Sequence, residues 1–130
     1  MKIMENREIK FRIFDKKYKE YCEEPDFRWT LSRQGKLYNS EEDEWYDIGE
    51  RFIVEFFTGL KDSKRTKEYP NGQDIYEGDV LNSNYFKNAQ VVFWRNGWHL
   101  RTGRDTHYSF NTSMHSFEII DKIYENPELL

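Results

Sequence analysis

The sequence predicts a mainly-β protein, and three observations carry that reading. Apolar and polar residues alternate with period two in several short runs. Turn residues separate those runs, most clearly Gly35, Asn71-Gly72 and Asn96-Gly97. No segment sustains a helical period between capping residues, so any helix is short. A length of 130 residues suits one domain, or two small subdomains sharing a core. Hydrophobic residues make up only 37% of the chain, but aromatic residues make up 18%. Rings bury a large area each, so a core built on them can stabilise a short chain.

The first strand places Ile9, Phe11 and Ile13 on one side and Lys10 and Arg12 on the other. Asp15-Lys16-Lys17 reads as a turn, with Tyr18 and Tyr21 beyond it. Phe27, Trp29 and Leu31 repeat the alternation against Arg28, Thr30 and Ser32. Arg33-Gln34-Gly35-Lys36 is a hairpin turn into Leu37-Tyr38, because glycine accepts a positive φ. Residues 41–50 hold six acids (Glu41, Glu42, Asp43, Glu44, Asp47, Glu50) and no base. They read as a loop with room for one helical turn, running into a brief strand at 45–49. Residues 52–57 form a further strand, a polar connection spans 63–73, and 75–81 return to sheet.

Val91-Val92-Phe93-Trp94-Arg95-Asn96-Gly97-Trp98-His99-Leu100-Arg101 is the clearest hairpin, since Asn-Gly between alternating runs tolerates positive φ at both turn positions. With Asn96-Gly97 as the two-residue loop, Arg95 faces Trp98, Trp94 faces His99 and Phe93 faces Leu100. One face then carries Val91, Phe93, Trp98 and Leu100 and is the better core candidate. The other carries Val92, Trp94, His99 and Arg101, which leaves a tryptophan on the more exposed side. Residues 117–124 form the last strand, and Asn126-Pro127 ends it because proline has no N–H to donate.

Two stretches stand apart: Thr58-Gly59-Leu60-Lys61-Asp62 and Asp74-Ile75-Tyr76-Glu77-Gly78-Asp79-Val80-Leu81. Together with Arg7-Glu8-Ile9-Lys10-Phe11-Arg12-Ile13-Phe14-Asp15 and the closing Ile123-Tyr124-Glu125-Asn126-Pro127-Glu128-Leu129-Leu130, they resemble the YopX family of small bacteriophage and prophage proteins. Its pattern is roughly T-G-L-x-D, a short turn, then I-Y-E-G-D-I-V. The chain departs from it in a longer 63–73 connection, and in Asp121 where relatives tend to have glycine. That replacement argues against a bulge at 121. The resemblance implies a phage or prophage setting and no particular activity. Glu77-Gly78-Asp79 also resembles the start of a strand in SH3-like barrels, where glycine lets the backbone bend. The expected architecture is an N-terminal hairpin meander (1–57) packed with a C-terminal SH3-like or partly open β-barrel (58–130) as one globular unit. Within the signature, Gly59 and Gly78 read as bends, Ile75 and Val80 as core, and Asp62 and Asp79 as turn fasteners. Thr58, Leu60, Tyr76 and Glu77 complete that structural set.

Catalytic chemistry finds little support. One cysteine, Cys22, excludes an internal disulfide and a multi-cysteine zinc site. His99, His107 and His115 lie eight residues apart, but intervening turns argue against a shared site, and no metal or cofactor is expected. Glu77 and Asp79 bracket a glycine, where carboxylates more often accept backbone N–H bonds than do acid–base work. No nucleophile elbow, Walker loop or dinucleotide fingerprint is present. No apolar run could cross a bilayer and no leader is evident, so the expected setting is the reducing cytoplasm of a bacterial host.

The net charge of −4 argues against a dedicated nucleic-acid coat. Residues 87–104 nevertheless hold four bases (Lys87, Arg95, Arg101, Arg104) and no acid. Trp94, His99 and Arg101, with Lys87, Arg95 and Arg104 nearby, therefore form the candidate binding surface, which Tyr108 and Phe110 would extend. The leading reading is a non-enzymatic accessory protein acting through protein contacts, as a homo-oligomer or on a phage or host protein. The rival is a module that stacks single-stranded nucleic acid on this aromatic, basic face. Opposite-sign tracts of this kind can also pair between subunits, although most charge runs are solvated faces.

Overall fold

The computed structural model describes residues 10–22, 28–104, 106–110 and 116–126. Among them there are twelve strands and no helix: β1 (Phe11–Asp15), β2 (Glu20–Tyr21), β3 (Trp29–Leu31), β4 (Lys36–Asn39), β5 (Glu44–Asp47), β6 (Phe52–Lys61), β7 (Asp74–Tyr76), β8 (Asp79–Asn82), β9 (Ala89–Trp94), β10 (Gly97–Thr102), β11 (Thr106–Ser109) and β12 (Glu118–Lys122). They form sheets of order β2-β1-β6-β7, β3-β4-β5 and β11-β10-β9-β8-β12. The chain divides into two compact units, Arg12–Glu55 and the remainder, so β6 runs from one into the other. Ile9, Phe27, His115 and the tail 127–130, all read above, lie outside the described residues.

In the smaller unit, β3, β4 and β5 are successive hairpins, with Gly35 at φ 76° in the first turn. Phe52 is the hub, meeting Trp29 edge-on at 5.0 Å and Tyr46 at 4.8 Å. The acidic tract forms no helical turn. Buried Asn39 accepts the N–H groups of Glu41 and Glu42 through Oδ1, and Asp43 at φ 54° reverses the chain into β5. Asp15 accepts a two-pronged bond from Arg51 (3.0 and 2.9 Å), which holds its carboxyl below the usual range.

The expected alternation fails in β1, where Arg12, Ile13, Phe14 and Asp15 are all buried. Arg12 does not face solvent. Its Nε donates to Glu55 Oε1 at 2.8 Å, and its guanidinium lies 4.7 Å from the Tyr21 ring. A strand buried on both faces loses its period-two signature.

In the larger unit the five-stranded antiparallel sheet curls around Ile75, Leu81, Ala89, Val91, Leu100 and Phe117. Residues 75–81 are not one strand. The chain turns at Glu77-Gly78 (Gly78 φ 86°), so β7 pairs with β6 whereas β8 pairs with β9 and β12. Asp79 is fully buried and accepts the Tyr76 N–H at 2.8 Å, closing that turn. The turn is further held by Gly78 N–H to Val91 O and Ile123 N–H to Gly78 O. A bulge does occur in β12 between Ile119 and Asp121, contrary to expectation. No glycine is needed there. Asp121 accepts the Lys122 N–H and the Asn126 amide, which stabilises the irregular backbone and lowers the carboxyl's pKa.

The β9–β10 hairpin turns one residue earlier than the Asn-Gly rule suggests. Arg95 (φ 47°) and Asn96 (φ 68°) occupy the two left-handed positions, and Gly97 pairs with Trp94. Phe93 therefore faces Trp98, His99 faces Val92 and Leu100 faces Val91. Each residue's partner moves by two positions, which preserves the faces. Phe93 shares the inner face but sits past the core's end, 58% exposed.

Gly97→Ala tests this register. Gly97 has no positive φ, and an added Cβ would meet only His99 Cε1 at 3.6 Å, an ordinary contact. Stability should change by less than about 1 kcal/mol, or rise slightly through a less flexible unfolded chain. Urea titration checks it, and a loss near 2 kcal/mol would restore Asn96-Gly97 as the turn.

Candidate interaction surface

The parity of β9, β10 and β11 places Gln90, Val92, Trp94, His99, Arg101 and His107 on one sheet face, because Arg101 pairs with both Gln90 and His107. Gly97, opposite Trp94, has no side chain to hold the indole upright. Trp94 stacks on His107 with ring centroids 4.2 Å apart and planes inclined by 6°, and meets His99 edge-on at 5.1 Å. The Arg95 guanidinium lies 4.4 Å from the Trp94 ring. His99 Nδ1 is 3.1 Å from Gly97 O, so with a proton on Nδ1 it donates there and its ring is fixed. Arg101 donates from Nε to Gly103 O at 3.0 Å, which orients the rest of its guanidinium.

Trp94, His99 and Arg101 thus share one face. Lys87 and Arg104 are exposed in the connections before β9 and after β10, and neither touches the Trp94 ring. Arg95, expected near this face, lies against the Trp94 ring, whereas Tyr108 pairs with Leu100 and so sits on the opposite face. Sequence reasoning missed His107, which it weighs only as a metal or acid–base candidate. The missed signal is Gly103 (φ 72°), where the chain turns after β10, so that β11 becomes a third strand and brings His107 beside Arg101. Among the described residues, no group of three or more His, Cys, Asp or Glu side chains could hold a metal.

The signature residues lie elsewhere and bind the fold together. Thr58 Oγ1 donates to Ile75 O at 2.8 Å and accepts the Leu60 N–H at 3.1 Å, bridging an irregularity at Gly59 (φ 86°) where four steps on β6 match two on β7. Asp62 is 4% exposed and accepts Gln73 N–H at 2.8 Å through Oδ1 and Ile119 N–H at a longer 3.4 Å through Oδ2. It ties the end of β6 to the approach to β7 and to β12. Glu77 donates its N–H to Phe56 O, and Ile75 and Tyr76 are buried. Asp74 receives Lys61 at 2.8 Å and Lys10 at 3.2 Å; desolvation works to raise its pKa, but the two ammonium groups hold it below the usual range.

A second surface belongs to the smaller unit. All six acids of residues 41–50, five of them in the β4–β5 hairpin and Glu50 just after it, are exposed, and Trp45, 56% exposed, packs on Tyr38 at 4.9 Å. Tyr38 donates its hydroxyl to Asp43 at 2.6 Å and Tyr46 donates to Glu42, bonds that push both phenols up in pKa. A cavity of about 370 Å³ in this unit is lined by Glu20, Tyr21, Cys22, Arg28, Trp29 and Asn39, among others.

The architecture is similar to that of protein EF1440 from Enterococcus faecalis, known from its crystal structure. The TM-score is 0.58 at 21% sequence identity, covering 96% of this chain and 99% of that chain. No match was found among curated proteins. The family described as YopX protein matches residues 10–130, nearly the whole sequence. The chain belongs to the YopX family.

Proposed function

We propose that this protein is a non-enzymatic phage or prophage accessory protein that acts through protein contacts, as a homo-oligomer in the host cytoplasm. The observation that carries the reading is the state of Trp94. A base-stacking platform needs a free ring face. Here His107 already covers one face, Arg95 lies 4.4 Å from the ring and His99 abuts its edge. A base could stack only by displacing one of them. A tryptophan fixed by its neighbours and flanked by arginines instead has the makings of a contact hot spot, where rigid rings bury area at little entropic cost. The sheet in which it sits supports reading the larger unit as a partly open barrel of the SH3-like kind. Among the described residues no helix is long and apolar enough to cross a membrane.

The rival reading, a single-strand binder, draws on the absence of acids between residues 87 and 104. Light scattering after size exclusion separates the two. The expected result is a concentration-dependent oligomer that Trp94→Ala shifts toward monomer, with circular dichroism unchanged. A strict monomer that retains labelled oligonucleotides at low salt, and loses them on Trp94→Ala, would overturn the proposal in favour of its rival.

A further inference from the structure

Two surfaces carry opposite charge and comparable chemistry. The β4–β5 hairpin presents exposed Glu41, Glu42, Asp43, Glu44 and Asp47 together with exposed Trp45, and Glu50 follows β5. Its own unit offsets little of this charge, through Arg28 to Glu41 at 3.2 Å and Lys36 to Asp47 at 3.5 Å. The face of β9, β10 and β11 presents Arg95 and Arg101 around Trp94, and no acid occurs between residues 87 and 104. Both are set in advance. Tyr38 and Tyr46 fix Asp43 and Glu42, while Trp94 and Gly103 O fix Arg95 and Arg101. Side chains already ordered lose less entropy on binding. Carboxylates pair with guanidinium forks, and an acidic strip with a ring complements a basic strip with one.

We infer that the acidic β4–β5 hairpin of one copy docks on the Trp94–Arg101 face of a second copy. This rests on the oligomeric reading above and names the partner and the two surfaces. The contact joins unlike patches, so it builds a reciprocal dimer, a closed ring or an open filament. Acids at the hairpin, not a shared hydrophobic face, select the partner, and added salt weakens the assembly because exposed charges are screened over about 8 Å at 0.15 M.

The test uses two full-length variants. One reverses the face (Arg95→Glu with Arg101→Glu), the other the hairpin (Glu41→Lys, Glu42→Lys, Glu44→Lys and Asp47→Lys together). Each alone sets like charges against each other, and self-association should weaken by about tenfold or more. Mixed one to one, every hairpin again meets a face of opposite sign, and sedimentation velocity should show association restored in species that alternate the two variants. Restoration also demonstrates that both variants are folded. An oligomer that persists in each variant alone overturns this inference and leaves the oligomeric reading standing. Loss in both without restoration on mixing, with folding intact by circular dichroism, overturns the pairing. A wild-type chain that stays monomeric at every salt concentration overturns both.

Discussion

Glu55→Ala should destabilise the protein by about 3–5 kcal/mol, the largest expected effect of any single substitution in the smaller unit. Glu55 is 1% exposed and Arg12 8% exposed. Glu55 Oε1 accepts Arg12 Nε at 2.8 Å and the Tyr21 hydroxyl at 2.6 Å, while the guanidinium lies over the Tyr21 ring. Truncation removes the acceptor shared by buried Arg12 and half-buried Tyr21. The guanidinium cannot offset that loss by giving up its proton. Glu55→Gln, which keeps an acceptor of the same shape but no charge, should cost less. Replacing both partners, as Arg12→Met with Glu55→Leu, should recover part of the loss, because the guanidinium that loses its buried acceptor is removed with it. Urea unfolding followed by tryptophan fluorescence measures all three; Trp29 packs on Phe52 within this unit and reports on it. A loss below about 1 kcal/mol for Glu55→Ala would mean that the pair is effectively solvated.

Arg12 also shows where sequence reasoning ends. Period two places it outward, and nothing local contradicts that; its partner stands 43 residues away. Contacts set by tertiary pairing leave no trace in a short window. The β9–β10 hairpin shows the opposite case. Its faces were legible although its turn was not, because side-chain parity survives a two-position change of partner. The turn residues themselves were decided by Arg95, whose left-handed φ of 47° is offset by its contact with the Trp94 ring, an arrangement that no dipeptide rule contains. His107 entered the cluster through a third strand, and the Gly103-Arg104 turn before it resembles many solvent-exposed loops in composition. The signature's glycines and aspartates were legible as bends and fasteners by type. Which strands they fasten was not, since Asp62 reaches Ile119 across 57 residues.

Gly72→Ala is expected to destabilise the larger unit by about 3 kcal/mol or more. Gly72 has φ +93°, where an L side chain is strained by about 1–2 kcal/mol. An added Cβ would also lie 2.3 Å from Asp62 O, 2.8 Å from Arg65 Nη1 and 3.3 Å from Lys61 Cβ. The arginine can swing aside, but the carbonyl cannot. Asp62 is held by its own N–H to Gln73 O at 2.9 Å and by the bonds its carboxylate accepts from Gln73 and Ile119, with Ser63 N–H to Phe117 O beside it. Relieving the clash therefore means moving the junction of β6, β7 and β12 at once. Gly59→Ala is the internal control. Its φ of +86° imposes similar strain, but nothing lies within 4 Å of the added carbon, so it should cost only about 1–2 kcal/mol. Thermal and urea unfolding give the two stabilities. Amide exchange supplies the location, with Gln73 and Ile119 losing protection in Gly72→Ala and keeping it in Gly59→Ala. Equal losses for the two variants would show that the 61–73 connection yields freely, and that Asp62 does not bind the sheet edges into one piece.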